Sequence, residues 1–118
     1  MGNQVSWVLQ LAVQDGKLDE LRALMDEMVA STREEPGALS YEWFVSEDGG
    51  AVHIYERYAD DAATLAHLAT FGATFAGRFL GAVKPTGFTV YGSPGAEVRA
   101  ALDPMRATYF GDLGGFVR

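Results

Sequence analysis

Two histidines, His53 and His67, are the only side chains in this 118-residue chain that ordinarily titrate near neutral pH, and there is no cysteine. Thiol nucleophiles, disulfides, thiolate metal sites and Fe–S clusters are thereby excluded together. Proton chemistry falls to the histidines and to any carboxylate in an unusual setting, and Glu56 is in one. Alternation along residues 51–58 puts Val52, Ile54, Glu56 and Tyr58 on one face and His53, Tyr55 and Arg57 on the other. The preceding segment adds Leu39, Tyr41, Trp43 and Val45 to the first face, and Ser40, Glu42, Phe44 and Ser46 to the second. Glu56 is the odd residue on an apolar surface. A carboxylate there is costly unless paired or hydrogen-bonded, and desolvation raises its pKa. It reads either as a tuned general base or base-orienting group, or as a structural strand-end residue bonded to Tyr41, Trp43 or a backbone N–H.

His67 is the second candidate. In one continuous helix it lies on the flank of an apolar stripe near Phe71, with Arg78 three turns further along the same edge. A neutral imidazole at the rim of an aromatic pocket takes protons near neutral pH, whereas a solvated or structural histidine does nothing. Trp7, Tyr41, Trp43, Phe71, Phe75 and Phe79 suit the walls of such a pocket and equally an ordinary core. His53 shares its face with Tyr55 and Arg57, away from these groups. A three-ligand metal site would need carboxylates beside the histidines; no HxxxH spacing exists, and the one HxxE pair, His53 and Glu56, falls on opposite faces of a strand, so no metal is expected. Serine-hydrolase, Walker A and dinucleotide motifs are absent as well.

The elements that must position these residues follow from periodicity. Residues 5–13 (VSWVLQLAV) are rich in β-branched and aromatic types and read as a strand, ended by Asp15-Gly16. A helix follows, with Leu18, Leu21, Met25, Met28 and Val29 at spacings of three and four and acidic residues opposite. Glu34-Glu35-Pro36-Gly37 stops it. Strands over 39–46 and 51–58 flank Glu47-Asp48-Gly49-Gly50, a hairpin signal. Asp60-Asp61 caps a second helical region over about 62–83, where Gly72 is the point for a bend or split. Lys84-Pro85 ends it before a fourth strand at 87–91.

The order β-α-β-β-α-β gives the class: α+β, a ferredoxin-like antiparallel sheet with helices on one face. Phe44 and Tyr55 place aromatics on the other face too, which calls for a partner, and a homodimer is expected. The expected division is a domain over 1–92 and an extension over 93–118. The extension comprises a short helix near 94–102 and an apolar tail with Tyr109, Phe110, Leu113 and Phe116, docked on its own domain or on the partner subunit.

Composition bounds the partners. At 48% hydrophobic and 21% charged residues the chain is globular rather than disordered. A net charge of −7 argues against nucleic acid or an anionic membrane, and a neutral or cationic small molecule or a second copy fits better. No apolar run approaches the roughly 20 residues of a membrane span, and the start reads as neither a signal peptide nor a myristoylation site. A cytoplasmic protein is expected.

Three segments carry a family likeness. Glu35-Pro36-Gly37-Ala38-Leu39-Ser40-Tyr41-Glu42 resembles the "EPG…YE" entry to the second strand of antibiotic-biosynthesis-monooxygenase domains. Residues 52–60 (VHIYERYAD) resemble their third strand, and residues 62–68 (AATLAHL) their histidine-bearing helix, with His67 at the histidine. The likeness covers residues 5–91, and the tail is similar to an extension in one branch. It implies a dimeric α+β barrel and an aromatic small-molecule substrate. It also implies oxidation of a quinol or polyketide-type phenol by O₂ without metal, flavin or other cofactor. His67 then becomes base or oxyanion partner and Glu56 an orienting carboxylate, with Trp7, Tyr41, Trp43, Phe71, Phe75 and Arg78 binding substrate. The haem-degrading branch uses an Asn on the first strand. Here the only Asn is Asn3, before that strand, so haem degradation is not expected. A non-catalytic dimer binding a hydrophobic molecule, and a polyketide isomerase or cyclase of the same fold, are the alternatives.

Overall fold

A computed structural model describes residues 2–118; Met1, where the expected first domain begins, lies outside it. Strand β1 (Val5–Val13) leads to helix α1 (Leu18–Arg33), then β2 (Ala38–Val45) and β3 (Ala51–Tyr58). Helix α2 (Asp61–Thr70) passes through a π-helical turn (Phe71–Phe75) into α3 (Ala76–Ala82), followed by β4 (Val83–Gly92). Beyond the expected four strands come α4 (Ala96–Leu102), a 3₁₀ turn (Asp103–Met105) and a short β5 (Thr108–Phe110). The sheet order is β2-β3-β1-β4-β5; the first four strands run antiparallel and β5 pairs parallel with β4.

Period-two alternation sends Val5, Trp7, Leu9 and Leu11 of β1 to the helix side. They are joined there by Val52, Ile54 and Tyr58 of β3 and Phe88 and Val90 of β4. Helix α1 closes this layer with Leu21, Leu24 and Met28. The C-terminal helix is part of the same core, since Val98 and Leu102 are fully buried.

Three expectations are corrected. Leu39 was assigned to the apolar face but is 49% exposed, because a bulge between Ala38 and Ser40 turns it outward. Strand β4 begins at Val83 rather than 87 and carries Pro85 within it. The second helical region splits at Gly72, where a bend or split was expected, and Arg78 does not follow the edge of His67 as a continuous helix would place it: at the π turn the Ala76 N–H reaches the Phe71 carbonyl, five residues back. One inserted residue sets the following helix back by about 100°. Phe79 therefore occupies the inward position that straight geometry gave to Arg78.

The far face of the sheet carries Ser6, Tyr55, Arg57 and Phe44, with Phe44 exposed. Arg57 donates to Gln4 Oε1 at 2.6 Å and to the Tyr55 hydroxyl at 2.7 Å. The tail past Phe110 leaves Leu113, Phe116 and Val117 exposed and forms with this face a groove of about 330 Å³.

Candidate active site

Cross-strand register assembles the site. Glu56 lies opposite Trp7 on β1 and opposite Tyr41 on β2, so a carboxylate sits between two aromatics on the helix-facing side. Asp60 caps α2 by accepting the Ala63 N–H at 2.8 Å, and the helix so anchored lowers His67 onto this row. His67 is 6% exposed and Glu56 5%. The His67 ring packs 4.8 Å from the Tyr58 ring and 5.6 Å from that of Tyr41.

Each ring nitrogen of His67 faces a carboxylate. Nε2 lies 3.2 Å from Glu56 Oε1, and Nδ1 lies 3.1 and 3.3 Å from the two oxygens of Glu35. The Tyr58 hydroxyl donates to the same Glu56 Oε1 at 2.6 Å. Ionised carboxylates only accept, so both ring nitrogens must carry protons, or one of the carboxyls must. Burial alone would lower the His67 pKa, but Glu56 and then Glu35 outweigh it and hold it above the ordinary histidine value. The Tyr58 and Tyr41 phenols are pushed far up, first by burial and then by the Glu56 charge, so both remain neutral donors.

Glu35, the first residue of the EPG turn, owes its place at His67 to that turn. Helix α1 ends at Arg33, the Glu35 N–H bonds to the Thr32 carbonyl, and Pro36 prevents continuation. Gly37 then lets α2 come close: a Cβ there would stand 2.4 Å from the Ala63 Cβ. The three residues end the helix, seat the next one and present a carboxylate to its histidine.

Beside the array is a cavity of about 30 Å³, walled by Trp7, Leu9, Met28, Tyr41, Ile54, Leu68, Phe71, Phe79 and Met105 around Glu56 and His67. Of the residues expected to bind substrate, Trp7, Tyr41 and Phe71 are therefore gathered here. Phe75 sits in an adjoining crevice with Glu35, Tyr41 and Thr70, on the Nδ1 side of His67. Two are elsewhere. Arg78 is exposed and paired with Glu27 of α1 at 2.9 Å, a consequence of the π turn. Trp43 stacks edge-on against Phe79 at 6.1 Å and lines a groove with Leu18, Leu21 and Met25. Its indole N–H is buried without a hydrogen-bond partner among the described residues. Met105, from the 3₁₀ turn, was not anticipated.

His67, Glu35 and Glu56 are a histidine–carboxylate set, but the carboxylates address opposite edges of the ring and cannot converge on one ion. Among the described residues no cluster of three or more potential ligands has metal-holding geometry. No helix there is long and apolar enough to cross a membrane.

The sequence model of the antibiotic biosynthesis monooxygenase family matches residues 5–76. Rv0793 of Mycobacterium tuberculosis, provisionally named a monooxygenase, is 50% identical over 38 residues, which span 32% of this chain and 38% of that protein. Its solved structure superposes with a TM-score of 0.66 at 28% identity, covering 74% of this chain and 91% of that one. MupZ from Pseudomonas fluorescens gives a TM-score of 0.86 at 21% identity over 100% of this chain and 91% of its own. SnoaB, a cofactor-independent oxygenase from Streptomyces nogalater, gives 0.68 at 15% identity, over 80% and 97% of the respective chains. At 21% and 15% identity the last two establish the fold alone.

Proposed function

The chain belongs to the antibiotic biosynthesis monooxygenase family, and from that premise we propose that it oxidises an aromatic quinol or polyketide-type phenol with O₂, without metal or flavin. The observation that carries this reading is the Glu35–His67–Glu56 array against an apolar-walled cavity. Tyr58 and His67 both address Oε1 of Glu56, which leaves Oε2 for a substrate proton. Glu56 is thus the base, and His67, already protonated, is the cation beside which a phenolate or enolate forms. The electron-rich anion passes one electron to O₂, and recombination of the radical pair with a proton gives a hydroperoxide. Loss of water from it leaves a carbonyl. SnoaB, a cofactor-independent oxygenase of the same fold, supports this chemistry.

The cavity volume sets a condition. About 30 Å³ holds one water, whereas a cavity that binds benzene measures roughly 150 Å³. A ring system enters only when the wall opens; Met105 is its most exposed member, and Tyr41, Leu68 and Phe71 are partly exposed. We propose further that the chain is a homodimer through the far sheet face, where Phe44, Tyr91 and Phe110 are exposed together with the apolar tail.

The test is O₂ uptake by metal-free protein offered naphthoquinols and anthrones, alongside His67→Ala and Glu56→Gln. The expected result is uptake insensitive to chelators and reduced at least about a hundredfold in kcat by either substitution. Uptake no greater than autoxidation overturns the oxygenase reading. Substrate loss without O₂ consumption selects the isomerase, because proton transfer alone is what that reaction needs.

A further inference from the structure

Glu35 completes the array from outside. It reaches His67 from the turn after α1, and its side chain is 18% exposed against 8% for His67 and 6% for Glu56. The contact is made by both carboxylate oxygens, at 3.1 and 3.3 Å, on the nitrogen opposite the one that meets Glu56. The titratable groups facing the ring are Glu35 from the turn, Glu56 and Tyr58 from β3, and Tyr41 from β2. Of these the two phenols are neutral, so the carboxylates alone decide the charge on the imidazole.

Glu56 by itself would be satisfied by a neutral imidazole donating from Nε2, with Nδ1 bare. An ionised second carboxylate at Nδ1 removes that option, because two lone-pair-bearing atoms would then meet at 3.1 Å without a proton between them, and Glu35, the more exposed of the two carboxyls, is the one that water keeps ionised. We propose that Glu35 is a positioning residue: it locks His67 as a doubly protonated imidazolium, so that the site presents a fixed cation beside the base rather than a second base. This inference rests on the role given above to Glu56 for its catalytic consequence, but not for its charge state. Without Glu35, His67 keeps only Glu56 and can shed its Nδ1 proton, so the cation beside the forming anion is lost at a lower pH. Glu35 touches no reacting atom and acts only through His67.

The decisive measurement is the ¹⁵N chemical shift and pH titration of the imidazole nitrogens in the full chain, with exposed His53 on the opposite face as internal reference. Wild type shows both His67 nitrogens protonated through neutral pH. Glu35→Gln moves the His67 midpoint down by at least about one pH unit, since a carboxylate within 4–6 Å shifts a partner by that order. Glu35→Asp, which keeps the charge, restores most of the shift. A neutral tautomer in wild type at pH 7 overturns the proposal and needs no variant to fold; so does a Glu35→Gln titration identical to wild type. In turnover, Glu35→Gln lowers kcat at pH 8 with KM unchanged and regains it toward pH 6. Should no aromatic substrate be oxidised, the oxygenase reading fails while the NMR titration still decides the role of Glu35.

Discussion

Replacing Gly37 with alanine tests whether close approach of α2 to the EPG turn holds the site together. The added Cβ would stand 2.4 Å from the Ala63 Cβ, against the 3.5–4.0 Å at which two carbons rest, so turn and helix must part by more than about 1 Å. Ala63 lies one helical turn before His67, so the same displacement opens the 3.1 Å gap between Glu35 and Nδ1. Overpacking of this kind costs about 1–3 kcal/mol. At roughly 2.1 cal/mol/K per residue, a chain this long loses about 4 °C of Tm per kcal/mol, giving an expected drop of about 4–12 °C. Calorimetry reads that drop, and the His67 nitrogen titration reads the loosened pair. Removing the opposing methyl in Gly37→Ala/Ala63→Gly should recover stability, less about 1 kcal/mol for a glycine inside a helix. An unchanged Tm in the single variant, or no recovery in the double one, would refute the argument.

Tyr58→Phe keeps the buried ring but removes the 2.6 Å donor to Glu56; urea denaturation should show a loss of about 1.5–3 kcal/mol, and a neutral result would deny the carboxylate its charge. Because the folded His67 pKa lies above its unfolded value of about 6.5, its contribution to stability is complete below that pH and fades as pH climbs through the folded value. The urea midpoint of wild type should therefore fall as pH rises above about 6.5 and that of His67→Gln should not; parallel curves would sink the linkage. Met105→Ala should speed quenching of tryptophan fluorescence by an aromatic probe, because Met105 closes the cavity beside Trp7; equal rates would show that another wall residue gates it.

The strands and first helix were legible because each signal is local. Apolar alternation marks the strands, Pro36 stops α1, and the Asp60 cap is read from the sequence and found at 2.8 Å. Glu56 on an otherwise apolar face was legible for the same reason: period-two parity survives an uncertain register. The π turn was not, because nothing in Phe71–Phe75 distinguishes five residues per hydrogen bond from four, and Gly72 alone hints at irregularity. That single residue of slip exchanged Arg78 for Phe79 at the inward position. The bulge after Ala38 exposed Leu39 by the same mechanism in a strand.

Glu35 was missed for a different reason. It stands 32 residues from His67, in a turn whose sequence is fully accounted for by ending one helix before another strand begins. Its chemistry emerges only when α2 folds back over that turn, and what allows this is the missing side chain of Gly37. A histidine considered alone is a base because one nitrogen is free. Set between two carboxylates both of its nitrogens are engaged, which is why the proposed mechanism places the base at Glu56. The proton count thus follows from tertiary contacts that no spacing rule along the chain contains; on the proposed reading it selects the oxyanion-partner role for His67, one of the two that the family resemblance implies, and gives the base to Glu56.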